Sequence, residues 1–98
     1  MSVTILIADD EERWRRIVGD FLRNEGYRVL EAADGQQVME LMRSEEKIDL
    51  VVLDIMMPVL DGLETCRLIR KMSAVPVMIV TARDAEADEL VGFKWLSI

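Results

Sequence analysis

Two consecutive aspartates, Asp9 and Asp10, follow one apolar run, a third, Asp54, closes another, and a hydroxyl residue, Thr81, closes a further one. The chain contains no histidine, so histidine-based general base catalysis and an autophosphorylating histidine are both excluded. What remains is carboxylate chemistry. Three carboxylates brought together repel: at about 5 Å and an effective dielectric near 20, each pair costs roughly 3 kcal/mol before screening. Such a cluster needs a bound cation or a raised carboxylate pKa. Oxygen ligands without His or Cys select a hard ion, of which Mg²⁺ is the most available and readily shares its coordination with phosphate oxygens. An aspartate beside Mg²⁺ is a competent nucleophile toward phosphorus, forming an acyl phosphate. A simpler role stands beside this one. An Asp after a strand often caps the next helix, and Asp10 before Glu11-Glu12-Arg13 fits that role too. Thr81 by itself carries no information, because Thr is common in strands.

The elements that must position these residues are legible as alternating periods. Val3 to Ala8 is apolar except for Thr4, as in a strand buried on both faces. Trp14, Ile17, Val18, Phe21 and Leu22 then share one face of a helix that Gly26 stops. Tyr27 to Ala32 gives a second strand, Asp34-Gly35 a turn and cap, and Val38, Leu41 and Met42 a second helix. Asp49 to Asp54 is a third strand, followed by a loop in which Pro58 bars helix and Asp61 is placed to cap a third helix through Leu63, Cys66 and Ile69. Val75 to Thr81 is a fourth strand, and Asp84 to about Leu96 reads as a fourth helix. Strands alternating with helices imply right-handed crossovers and a parallel sheet covered on both faces. Ligands of such sheets sit at the carboxyl ends of the strands, where Asp9, Asp10, Asp54 and Thr81 fall.

With 98 residues the chain is long enough for one domain and too short for two. Its 51% apolar and 32% charged residues suit a globule with a real core. No apolar run approaches the roughly 20 residues of a membrane-spanning helix, and the N-terminus lacks the pattern of a secretory signal. Cys66 has no internal disulfide partner. Together these point to the cytoplasm and away from a membrane. A net charge of −7 argues against direct nucleic-acid binding. Arg13, Arg15 and Arg16, the nearest approach to a basic cluster, read as a solvated helix face after four acidic residues.

Ile5-Leu6-Ile7-Ala8-Asp9-Asp10-Glu11, Leu53-Asp54-Ile55-Met56-Met57-Pro58 with Asp61-Gly62, and Val77-Met78-Ile79-Val80-Thr81-Ala82-Arg83 resemble the receiver domains of two-component response regulators, with the family's spacing to about Phe93. The nearest resemblance is to receivers attached to winged-helix DNA-binding domains. It implies an α/β, flavodoxin-like (CheY-like) parallel sheet and a regulatory rather than enzymatic role. Asp54 matches the phosphoacceptor, charged by a partner histidine kinase or phosphotransfer protein. Asp10, with Asp9, matches the carboxylates that hold Mg²⁺ alongside Asp54, and Met56 the residue lending the metal a backbone carbonyl. Thr81 matches the switch hydroxyl that bonds the phosphoryl group, and Ala82 the small residue leaving the phosphoryl oxygens room. Met56 and Arg83 also stand where the family tunes phosphoaspartate hydrolysis.

Past Phe93 the resemblance stops. The expectation is a single receiver domain over residues 1–98, truncated, with strand order 2-1-3-4 and lacking the family's usual fifth strand and helix. Lys94 then lies on the fourth helix, ahead of the family's lysine, and takes no such role. The fourth strand is left as an exposed apolar edge, through which the chain is expected to form homo-oligomers. A vestigial or engineered fragment that self-associates without signalling is the alternative reading. A phosphatase with an aspartyl nucleophile is disfavoured, because it would place a second Asp where Met56 stands. Nucleotide binding lacks a Gly-rich phosphate loop.

Overall fold

Apolar runs too short for helices become the strands of the sheet, and the amphipathic stretches between them become its cover. The computed structural model describes residues 3–54, 62–81 and 94–97. Strand β1 (Thr4–Ala8) is buried at every position, as expected of a central strand. Helix α1 (Glu12–Asn24) carries an acid in its first turn and Arg23 in its last, complementing its dipole. It ends where Gly26 turns to φ 97°. The Gly26 and Tyr27 N–H groups there reach back to the carbonyls of Arg23 and Leu22, closing the helix. Strand β2 (Arg28–Ala32) leads to α2 (Gly35–Arg43), β3 (Leu50–Asp54), α3 (Gly62–Met72), β4 (Val77–Thr81) and β5 (Lys94–Ser97).

The sheet runs β2-β1-β3-β4-β5. Its first four strands are parallel in the expected order, with Ala8 level with both Ala32 and Leu53, and Asp54 level with Val80. The first correction lies at the edge. Residues 94–96, expected at the end of a helix, belong to β5, which pairs antiparallel to β4 with Thr81 opposite Lys94. The rest of that expected helix, residues 84–93, lies outside the described residues. The fourth strand is therefore not the exposed edge through which homo-oligomers were expected; its outer side is paired along Met78 to Thr81. The physical reason is that unpaired strand groups seek partners, and a short aromatic-containing segment of the same chain supplies them.

One face of the sheet is closed. Leu6, Val51, Leu53, Val77 and Ile79 pack there with Val38 and Met39 of α2 and Cys66 and Ile69 of α3 in one buried cluster. The other face is covered by α1, which lies mainly over β1 and β2. Ile5, Ile7, Val52 and Met78 of the sheet and Ile17 and Phe21 of α1 line an apolar cleft of about 480 Å³. Phe21 is 63% exposed. No helix among the described residues is long and apolar enough to cross a membrane.

Candidate functional site

The site begins where β1 outruns its helix. Beyond Ala8, the Asp9 N–H still donates to the Ala32 carbonyl of β2 (3.1 Å), so pairing holds the main chain one residue past the strand. The Asp9 carboxylate turns back and accepts the Glu11 N–H (2.9 Å). Glu11, at the N-cap of α1, makes no cap bond with its own side chain. The Asp9 carboxylate thus satisfies the N–H of the N-cap residue itself. Asp9 is buried, Asp10 exposed and Asp54 half-buried. One carboxylate oxygen from each lies within 4.8 Å of the others.

Burial, the Asp54 charge, and the hydrogen bond and charge of Asp10 together push the Asp9 carboxyl up from 3.8 to about 6, against the opposing pull of the Glu11 N–H. Carboxylates held this close repel by roughly 3 kcal/mol a pair at an effective dielectric near 20, and here one of them keeps its proton to a higher pH than an ordinary carboxyl. That is the behaviour of a donor set arranged for a cation: three hard oxygens, no nitrogen or sulfur, at the mouth of a sheet. The residues present fit Mg²⁺.

Thr81 ends β4 one residue beyond Val80, which is level with Asp54, so its main chain reaches the same sheet edge. Met56 and Ala82, with Arg83, lie outside the described residues. One residue of the site was misread in the sequence. Arg15, taken with Arg13 and Arg16 as part of a solvated face, keeps only 14% of its side chain exposed. It donates from Nη1 to the Asp9 carbonyl (2.6 Å) and pairs through Nε with Glu31 of β2 (3.3 Å). Neither Arg15 nor Glu31 was singled out by spacing, because their meeting depends on how α1 lies against β2. The only sequence signal was Glu31 itself, a charge between Leu30 and Ala32 near the end of β2.

The family model for the response regulator receiver domain matches residues 5–94. The chain is 41% identical over 92 residues to a protein described as the uncharacterized transcriptional regulatory protein YrkP of Bacillus subtilis, covering 94% of this chain and 39% of that one. It is 40% identical over 92 residues to the response regulator GtcR of Aneurinibacillus migulanus, covering 94% of this chain and 38% of the other. The chain thus spans about two-fifths of the length of these relatives. Among solved structures it is similar to the receiver domain of the Francisella response regulator 1452 (TM-score 0.78, 28% identity, 93% of this chain and 75% of that one). The chemotaxis protein CheY4 of Vibrio cholerae is also similar (TM-score 0.76, 28% identity, 81% and 68%).

Proposed function

The chain belongs to the response regulator receiver domain family, and from that premise we propose that it is the phosphoacceptor module of a two-component system, taking a phosphoryl group on Asp54 from a phosphohistidine of a partner kinase or phosphotransfer protein. The observation that carries the proposal is the meeting of Asp54 with Asp9 and Asp10 within 4.8 Å at the carboxyl ends of parallel strands. In the transfer, an Asp54 carboxylate oxygen bonds to phosphorus as the donor's nitrogen–phosphorus bond breaks, and the leaving imidazole takes a proton from solvent. Asp9, Asp10 and Asp54, with the main-chain carbonyl of Met56 as the resemblance implies, would hold Mg²⁺, which would neutralise charge on the transferring group. The Thr81 hydroxyl meets the phosphoryl oxygens after transfer, and Ala82 leaves them room. The module is regulatory: its product is its own altered state.

Acetyl phosphate with Mg²⁺ tests this directly. Folded protein should gain one phosphoryl group, seen by intact-mass spectrometry, and lose the gain with Asp54→Asn or with a chelator. An unmodified mass under saturating donor and metal would leave the vestigial fragment as the better reading.

A further inference from the structure

Asp9 is held from three sides. Its N–H is tied to the Ala32 carbonyl, its carboxylate to the Glu11 N–H, and its carbonyl to Arg15. The first two are main-chain contacts that many strand-to-helix turns make. The third is a side chain reaching back from the second half of the first turn of α1, in an orientation that only a planar, forked cation satisfies: Nη1 meets the Asp9 carbonyl while Nε meets Glu31. Glu31 in turn accepts from Arg23 (3.1 Å), so its carboxylate lies between two guanidinium groups. Burial alone would raise the Glu31 carboxyl, but the hydrogen bonds from Arg23 and Arg15 hold it below its ordinary value. The anion that aims Arg15 is therefore kept charged.

We propose that Arg15 is a positioning residue for the acidic site, fixing through the Asp9 carbonyl the turn on which the Asp9 and Asp10 carboxylates stand. The inference rests on the reading of that cluster as an Mg²⁺ site. Arg15 touches no substrate and acts on the carboxylates through the peptide unit. Its contact leaves the Asp9 carboxylate to Glu11, Asp10 and Asp54, the groups that govern its protonation. Arg23 supplies the internal comparison, since it shares Glu31 but not the Asp9 carbonyl. Groups that orient metal ligands from outside the coordination shell typically change affinity about 10- to 100-fold when removed.

Calorimetric Mg²⁺ titration of the whole chain and its variants, with urea unfolding in chelator, separates positioning from simple bracing. Arg15→Met is expected to weaken Mg²⁺ binding about tenfold, while phosphorylation from acetyl phosphate at saturating Mg²⁺ stays within about twofold of wild type. Arg23→Met should lower stability but leave Mg²⁺ affinity unchanged. If Arg15→Met does not fold, Glu31→Gln, which removes the aiming charge with little change of shape, is expected to weaken Mg²⁺ binding several-fold. Equal Mg²⁺ affinity in wild type and Arg15→Met (or Glu31→Gln), or an equal loss in Arg23→Met, overturns the inference alone. Wild-type protein that takes up no Mg²⁺ overturns the metal-site reading and the inference with it.

Discussion

Asp9 accepts the Glu11 N–H best as an anion, while burial and its two acidic neighbours favour the neutral acid, and the balance leaves it titrating at about 6. Because the folded value lies above the unfolded 3.8, the folded chain binds this proton more tightly than the unfolded one. The stabilisation is complete below about pH 3.8 and is lost as pH rises through about 6. Metal-free protein should lose about 1 kcal/mol from this group between pH 5 and 7, read as the difference between wild type and Asp9→Asn in urea unfolding. A cation must displace the same proton, so Mg²⁺ affinity should fall about fivefold from pH 6 to pH 5, measured by calorimetry. An affinity flat over that range would mean that Asp9 carries no proton there. At this scale, residue type and position at strand ends were enough to expect Asp9, Asp10 and Asp54 at one sheet edge, where their carboxylates meet. Which aspartate would accept the Glu11 N–H was not readable, since Asp9 and Asp10 differ by one position.

Among the elements, α2 has the most self-contained start. Asp34 accepts the Gln37 N–H (2.8 Å), and the Gln37 side chain accepts the Ala33 N–H (2.8 Å), so two otherwise orphaned donors are satisfied reciprocally. Asp34→Ala should cost about 1 kcal/mol in urea unfolding with an unchanged slope. A loss below a few tenths would show that tertiary packing of Val38 and Met39 holds the helix without its cap. The Asp34-Gly35 cap, the Gly26 stop and the four apolar strands were all visible in sequence because each depends on neighbours a few residues away. Strand β5 was not. Its pairing is a contact with β4 across the sheet, and a stretch rich in helix-forming residues ahead of Lys94 carried the helical reading too far. The ion pairs joining α1 to β2 were hidden for the same reason.

At the scale of the whole molecule, the two faces of the sheet are unequally covered by the described residues. The α2 and α3 side closes over Leu53, Ile69 and Ile79, each without measurable exposure. The α1 side keeps an open apolar cleft below half-buried Trp14, Val18 and Leu22. Opening should therefore be easiest along α1, which carries the contacts to Asp9. Truncating Leu53 or Ile69 to Ala would cost 2–5 kcal/mol by the usual cavity penalty, whereas loosening α1 reaches the acidic site without touching that core.

Cys66 sits on the closed face at 4% exposure and is the only thiol in the chain. A water-soluble disulfide reagent can reach it only when that face comes apart, so the chain contains a stopwatch for its own opening with no engineered label. Under conditions where reclosing outpaces labelling, the reaction rate reads the free energy of opening. Where Cys66 is exposed by global unfolding, which also dismantles the acidic site, free Mg²⁺ at ten times its dissociation constant should slow the reaction by about tenfold in wild type, and by less in Arg15→Met at the same concentration. The sulfur most distant in chemistry from phosphoryl transfer would then report whether the acidic site at the sheet's edge is occupied.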